Sequence, residues 1–209
     1  MIFNTLTDRL GIKYPIIQAP MASATTPAMV IAASKAGALG SLGAAYMAPD
    51  EIRIAIRQIR KATKRPFQVN LFSPQKQHAL TESEIDQANE PLRSIRAELG
   101  IADPNSPPDF KDRFEDQLQV LLEEKILIVG FHFGLPRSEH LIEVKNSGAV
   151  LIGCATRVPD AVVLEESGVD IVVAQGIEAG GHQGTFGSEE APSMIGLMAL
   201  IPQIVDAVS

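Results

Sequence analysis

Residues 15–22 read Pro15-Ile16-Ile17-Gln18-Ala19-Pro20-Met21-Ala22, and this stretch decides between two fold classes. Its short apolar run is typical of a strand that is covered on both faces, as in a parallel sheet. A doubly wound dinucleotide-binding fold would carry Gly-x-Gly-x-x-Gly directly after its first strand, whereas residues 18–22 stand there in this chain. We therefore predict an α/β, TIM-barrel-like (β/α) fold.

Outward from this stretch, similar apolar runs recur, and helix-forming segments with clear start signals lie between them. The predicted strands are 15–19, 39–42, 67–71, 126–131, 150–154 and 170–174. The predicted helices start at Thr26-Pro27, Pro49-Asp50, Ser138 and Pro159-Asp160, and a last helix covers 193–208. A full eight-unit barrel usually needs about 250 residues. The 209 residues therefore predict a single, incomplete barrel domain over 1–209, truncated to about six of eight βα units.

The third predicted unit carries an insertion over residues 73–115. It contains a predicted helix at 82–99, a stretch rich in Pro, Asp and Asn at 102–109, and a second helix toward Glu124. A long excursion of this kind in an α/β fold is either a lid or interface element, or a surface decoration without function. Both interpretations stay open.

Composition excludes several classes of protein. The 18 Lys and Arg stand against 25 Asp and Glu, a formal charge of −7, and no basic block could follow a nucleic-acid backbone. No apolar run approaches the roughly 20 residues of a membrane span, and no signal segment opens the chain, which predicts a cytoplasmic protein. A single cysteine, Cys154, excludes an internal disulfide framework and is expected to be a small buried residue. No spacing of His or acidic residues predicts a metal site.

In parallel α/β folds the functional residues gather where strands end. Asn70 and Gln175 are neutral amides at two such ends, and they can pair with the donors and acceptors of a heterocycle such as a flavin, or merely satisfy loop backbone. Met21, after Pro20, can cover a flat ring or plug the end of the barrel.

The sixth strand is followed by the most unusual loop, Gln175-Gly176-Ile177-Glu178-Ala179-Gly180-Gly181-His182-Gln183-Gly184. Glycines let the backbone approach a ligand closely, and histidine exchanges protons near neutral pH because its unperturbed pKa is about 6.5. A flexible turn with an exposed histidine is the alternative. Of the other histidines, His132 is expected to form a pocket wall, and His78 and His140 are expected to face solvent.

Together, residues 12–22, Asn70 and residues 175–184 resemble the nitronate monooxygenase family, formerly called 2-nitropropane dioxygenases, and the likeness spans nearly the whole chain. The resemblance implies an FMN-dependent flavoprotein on a TIM barrel that oxidises alkyl nitronates, including propionate 3-nitronate, with O₂ to a carbonyl compound and nitrite. It implies that His182 is the catalytic histidine. The implied cofactor-binding positions are Pro20, Met21, Asn70, Gln175, Gly180 and Gly181.

The family continues beyond the equivalent of Ser209 with Gly-rich turns that hold the FMN phosphate. Two explanations follow: a shortened form of a longer parent, or a homo-oligomer in which another copy covers the first and sixth strands as open edges. Two other functions stay open. One is an FMN-dependent enoyl-acyl-carrier-protein reductase, which also has a Gly-Gly-His loop and uses NAD(P)H, and the other is a non-catalytic barrel remnant that acts as an assembly module.

Overall fold

The structure is a computed structural model that describes residues 4–74, 80–102, 112–187 and 194–209 of the chain. By its internal contacts the chain divides into two compact units, Met1–Pro74 with Arg113–Ser209, and Gln75–Asp112. Within the described residues, the larger unit contains the sheet and the smaller unit is helical.

The larger unit is built on a parallel sheet whose strands are adjacent in the order in which they occur in the chain. The described strands are β1 (Gly40–Gly43), β2 (Phe67–Phe72), β3 (Ile128–His132), β4 (Val150–Ala155) and β5 (Ile171–Ala174). A doubly wound sheet reverses its strand order at a switch point, and this sheet does not within the described residues. The sequential order is that of a (β/α) barrel, so the predicted fold class is confirmed.

The first predicted strand, 15–19, is wrong as a regular strand: it makes a single parallel bridge, between Ile17 and Leu39. Two prolines, Pro15 and Pro20, flank the run and cannot donate to a ladder. The side chain of Gln18 takes over the pairing, because its Oε1 accepts from the Ser41 amide at 3.0 Å and its Nε2 donates to the Ser41 carbonyl at 3.2 Å.

The helices of the larger unit surround this sheet. They are α1 (Thr5–Leu10), α2 (Pro27–Ala36), α3 (Pro49–Ala62), α6 (Phe114–Glu123), α7 (Ser138–Asn146), α8 (Val158–Glu166) and α9 (Leu197–Ala207). The predicted cap of α2 is confirmed, since the hydroxyl oxygen of Thr26 accepts from the Met29 amide at 3.3 Å and Gly37 ends the helix at φ +98°. Helix α1 was not predicted, and α9 starts later than the predicted 193–208 because Gly196 is its N-cap.

One face of α3 is buried, and the stripe beside it is basic. Ile52, Ile56 and Ile59 are fully buried in the main core, whereas the arginines bind the end of α6. The ion pairs to Glu124 are Arg53 at 3.3 Å, Arg57 at 2.8 Å and Arg60 at 3.3 Å.

The smaller unit contains α4 (Glu82–Asn89), a 3₁₀ turn (Glu90–Leu92) and α5 (Arg93–Leu99). The sequence predicts one helix over 82–99, and the structure interrupts it at Pro91, whose ring lacks the amide hydrogen that a continuous helix needs. Most of the predicted breaker-rich stretch at 102–109 lies outside the described residues. The second predicted helix, α6, belongs to the larger unit, so the boundaries of the units fall inside the predicted 73–115.

Side chains on the inner face of the sheet form two layers along the strands. At the amino ends, Leu39, Ile128 and Ile152 pack against Leu10 of α1 and are at most 4% exposed. Nearer the carboxyl ends the inner face becomes polar, and the buried Ser41 hydroxyl donates to Gln68 Oε1 at 3.1 Å. A site on this sheet therefore has a closed apolar layer beneath it and polar groups above.

No helix within the described ranges combines the length and the apolar character needed to cross a membrane.

Candidate active site at the carboxyl ends of the strands

The Pro20-Met21 turn lies directly against the carboxyl end of β1. A Cβ atom at Gly43 would sit 2.6 Å from the Met21 carbonyl carbon and 2.7 Å from the Ala22 nitrogen, so only glycine fits there. The turn is held by Thr25, whose buried hydroxyl accepts from the Met21 amide at 2.8 Å. The Met21 side chain is 40% exposed at this end of the sheet, where the sequence predicts it.

Asn70, which pairs with Gly43 across β1 and β2, carries a buried amide for which the described part of the chain supplies no hydrogen-bond partner. The residue is 7% exposed, and no described residue hydrogen-bonds its side chain. The amide extends over Gly130 of β3, where a Cβ atom would sit 2.8 Å from Asn70 Nδ2. A buried polar group without a partner costs about 1–3 kcal/mol, which makes this amide a candidate for binding a ligand.

The side chain of Gln175 holds the loop that follows β5. Its Oε1 accepts from the Gly184 amide at 2.7 Å, and its Nε2 donates to the His182 carbonyl at 2.9 Å. Gln175 therefore hydrogen-bonds the backbone of the loop, which is the alternative role that the sequence left open for it. One hydrogen on Nε2 remains for another acceptor.

The His182 ring lies among aromatic side chains that come from three other strand ends. Its Nε2 is 3.5 Å from the hydroxyl of Tyr46, and its centroid is 5.5 Å from Phe72 and 5.7 Å from Phe133, both in edge-on geometry. His182 is exposed, yet the ring faces the carboxyl ends of β2 and β3 through these contacts. Sequence reasoning placed the histidine in this loop but did not find its neighbours.

Those missed neighbours have a partial signal in the sequence. Phe72 is the last residue of β2, one position beyond the predicted strand, and Phe133 directly follows β3. Extending the first of these predicted strands by one residue and the second by two would have brought both phenylalanines into the set of strand ends. Tyr46 lies three residues beyond β1, and nothing local distinguishes it from a surface tyrosine.

His132 forms part of the wall beneath His182, as expected. Its Nε2 lies 3.1 Å from the His182 carbonyl oxygen, and because that oxygen only accepts, Nε2 carries the proton. Burial lowers the pKa of His132 below its ordinary value of 6.5, while the hydrogen bond to His182 acts in the opposite direction. The ring is neutral at pH 7 and supports the backbone of the catalytic candidate.

The two glycines of the predicted cofactor loop differ from one another. Gly181 has φ +82°, a conformation that favours glycine, whereas Gly180 has no such requirement. No described atom lies within 4 Å of a Cβ built at either position. Space is therefore open beside both residues, in keeping with their predicted role at a ligand.

Cys154 is a small buried residue, as predicted. It is 7% exposed, and burial, with a smaller effect from the charge of Asp160, raises the pKa of its thiol to about 12. The thiol is therefore protonated and unreactive at neutral pH.

The prediction that His140 faces solvent is wrong. Its side chain is only 14% exposed, because it packs against Phe114 of α6 with the ring centroids 5.6 Å apart. The apolar side of the ring is thereby covered. His78 lies outside the described residues. Among those that are described, no group of His, Cys, Asp and Glu side chains has the arrangement of a metal site.

Known proteins resemble this chain over almost all of its length. Residues 4–209 match the family model described as nitronate monooxygenase. A probable nitronate monooxygenase of Staphylococcus haemolyticus (strain JCSC1435) is 39% identical over 99% of this chain and 58% of its own length. Another, of Staphylococcus aureus (strain Newman), is 38% identical with the same coverage. The chain thus spans 58% of the length of these curated relatives.

Solved structures agree with this relationship. A nitroalkane oxidase from Streptomyces ansochromogenes superposes with a TM-score of 0.84 at 34% identity, over 99% of this chain and 58% of that one. FabK from Thermotoga maritima superposes with a TM-score of 0.72 at 27% identity, over 100% of this chain and 52% of that one. The family match, the identities and the shared fold lead to one conclusion: this chain belongs to the nitronate monooxygenase family.

Proposed function

We propose that the protein is an FMN-dependent nitronate monooxygenase that oxidises alkyl nitronates with O₂ to a carbonyl compound and nitrite. One observation carries the proposal beyond family membership. The His182 ring packs edge-on against both Phe72 and Phe133, at the same end of the sheet as the buried amide of Asn70, for which the described residues supply no hydrogen-bond partner. A proton-transfer group and an orphaned amide at one strand-end surface are what a flavin enzyme acting on a nitro compound requires.

The residues present fit a flavin. Asn70 supplies a buried amide without a partner in the described ranges, and Met21 presents an exposed side chain from a turn that packs on Gly43. Gly180 and Gly181 leave open space for a ring or its substituents. When bound, FMN would accept an electron from the nitronate and pass it to O₂. We assign Pro20, Met21, Asn70, Gln175, Gly180 and Gly181 to this cofactor.

His182 acts differently on the two ionisation states of a substrate. With a neutral nitroalkane, the imidazole takes the proton from the carbon that bears the nitro group, as a general base. With a nitronate, which has already lost that proton, it donates a hydrogen bond to a nitro oxygen. The Tyr46 hydroxyl, 3.5 Å from Nε2, and the edges of Phe72 and Phe133 limit the directions from which a substrate can approach.

The test begins with the chromophore of the purified protein. Heat release followed by mass spectrometry should identify FMN, and an alkyl nitronate added without O₂ should bleach the visible flavin absorption. Bleaching by NADH and not by the nitronate would support the enoyl-acyl-carrier-protein reductase instead. Colourless protein that does not take up added FMN would support the non-catalytic remnant. The higher identity to the nitroalkane oxidase, 34% against 27% for FabK, favours the first outcome.

A further inference from the structure

We infer that Arg157, Asp160 and Thr156 are positioning residues that hold the segment following His182 against the start of α8. The role in turnover rests on the proposed function, whereas the structural role does not. The three residues lie between β4 and the first turn of α8, and they contact Thr185 and Phe186. The contacts reach a segment only three and four residues beyond the candidate base.

The hydrogen bonds form a continuous, partly buried chain. Asp160 Oδ2 accepts from the Thr156 hydroxyl at 3.0 Å, and Asp160 Oδ1 accepts from Arg157 Nη2 at 2.7 Å. The same Nη2 donates to the Phe186 carbonyl at 2.6 Å. Because the Thr156 proton is directed to the carboxylate, the Thr185 hydroxyl, 2.9 Å away, is the donor to Thr156.

Burial makes these contacts strong. Thr156 is fully buried, Asp160 is 2% exposed, and the Arg157 side chain is 17% exposed. Hydrogen bonds that involve an ionised partner are about twice as strong as neutral ones, and a low local dielectric strengthens them further. This cluster is therefore a rigid anchor and not a solvated surface ion pair.

Helix capping alone does not account for the cluster. The bond from the Thr156 amide to Asp160 Oδ2, at 3.2 Å, is a local contact at the start of α8. The bonds from Thr185 to Thr156 and from Arg157 to Phe186 instead cross to a loop about 29 residues away in the chain. A helix start needs neither of them.

The anchor has a counterpart on the other side of His182. There, His132 and Gln175 both donate to the His182 carbonyl, at 3.1 Å and 2.9 Å. Gly181, at φ +82°, and Gly187, at φ +76°, flank the segment, and glycines at such positions offer little resistance to rotation. Fixing 182–186 at both ends between two glycines is what directs the imidazole toward the strand ends.

Two variants of the purified protein test this role. Thr185→Val removes one crossing hydrogen bond without changing any charge. The double variant Arg157→Met with Asp160→Asn removes the second without leaving a lone buried charge, which would unfold the region for another reason. Arg137→Met is the matched control, because Arg137 is 65% exposed and its ion pairs are with Glu115 and Glu139.

Two readouts are needed. Hydrogen–deuterium exchange should show loss of protection confined to amides 182–187 in both test variants and unchanged protection in the control. The kcat for a neutral nitroalkane should fall about 10- to 100-fold with KM nearly constant, because a displaced base costs rate and not binding. The kcat for a preformed nitronate, which needs no base, should fall less.

Unchanged exchange and unchanged kcat in both variants would overturn the inference, and so would loss of protection spread over the whole sheet. If the unmodified protein oxidises no nitronate, the proposed function is wrong but the structural role of the anchor is not thereby contradicted. The exchange measurement then still decides whether the anchor holds the segment.

Discussion

The two ends of the same sheet have opposite chemistry. At the amino ends, Leu39, Ile128 and Ile152 close against Leu10 in an apolar layer that is at most 4% exposed. At the carboxyl ends, β2 presents Asn70, β3 presents His132, and β5 leads into the loop that carries His182. A single strand such as β3 runs from Ile128 in one layer to His132 in the other. Residues that stabilise the fold and residues that could do chemistry are therefore separated along the strands. Substitutions in one layer should leave the property of the other layer unchanged.

The largest effect is expected from His182→Gln at the carboxyl ends. Turnover of neutral nitroalkanes should fall about 10²- to 10⁴-fold, because glutamine cannot take the proton. The side chain is exposed, and the backbone carbonyl that His132 and Gln175 bind remains, so flavin content and the urea midpoint should not change. Steady-state kinetics with neutral and anionic substrate check this. Parental rates on both substrates would show that His182 is not the base.

The opposite end should respond in the opposite way. Leu39→Ala removes a fully buried side chain from the amino-end layer and should lower the free energy of unfolding by about 2–5 kcal/mol. The kcat per folded molecule should stay unchanged, since no contact of the site is touched. Urea unfolding measures the free energy of unfolding, and steady-state kinetics at urea concentrations below the unfolding transition measure kcat. A loss of kcat at full stability would mean that the two layers are coupled.

Gly184→Ala should affect both properties, because this glycine joins the loop to the strand ends. A Cβ there would lie 2.8 Å from His132 Cε1 and 3.0 Å from Cys154 Sγ, so overpacking should cost about 1–3 kcal/mol. The displaced loop should also reduce turnover. Gly180→Ala is the stability control, since no described atom lies within 4 Å of its Cβ position. Equal urea midpoints for the two variants would refute the close approach.

Asn70→Ala tests whether the amide of Asn70 binds a ligand or only supports the fold. We expect about tenfold weaker FMN retention, the loss of roughly one hydrogen bond, with little change in the stability of flavin-free protein because the amide has no described partner there. Gln68→Ala should instead lower the stability of the flavin-free protein and leave FMN retention unchanged, since it removes the partner of the buried Ser41 hydroxyl. Fluorescence titration with FMN and urea unfolding distinguish them. Unchanged FMN affinity in Asn70→Ala would remove that residue from the cofactor site.

The smallest expected effect is the dependence of stability on pH through His132. Burial lowers its pKa in the folded protein, so the unfolded chain binds more protons between that value and the ordinary 6.5. Stability should therefore be lost as pH falls below about 6.5 toward the lowered folded pKa. His132→Gln, which keeps a donor for the His182 carbonyl, should show a shallower loss in urea midpoints from pH 8 to pH 5. Identical slopes would exclude His132 as the source.

Much of the architecture could be predicted from local patterns. The apolar runs at 67–71, 126–131 and 150–154 became β2, β3 and β4, because a strand covered on both faces must be apolar at successive positions. The run at 15–19 failed, because a glutamine side chain can replace a ladder between two prolines, and no periodicity reveals that exchange.

The site was predicted less completely than the fold. Strand-end position singled out Asn70 and Gln175 as candidates, but it could not tell that the first amide would have no partner among the described residues and that the second would hold the loop. It also gave no sign of Tyr46, whose contact with His182 joins residues 136 apart in the chain.

The sequence alone predicted most of the strands and helices, the glycine-rich loop with His182, and the relationship to the nitronate monooxygenase family. These features can be predicted because each is encoded in the composition and spacing of residues within a short stretch of the chain. Only the tertiary structure decided which side chains meet, including the aromatic contacts of His182 and the buried link from Arg157 and Asp160 to Phe186. Such contacts depend on which strand ends become neighbours, and that is set by the pairing of the strands across the whole sheet and not by any local pattern.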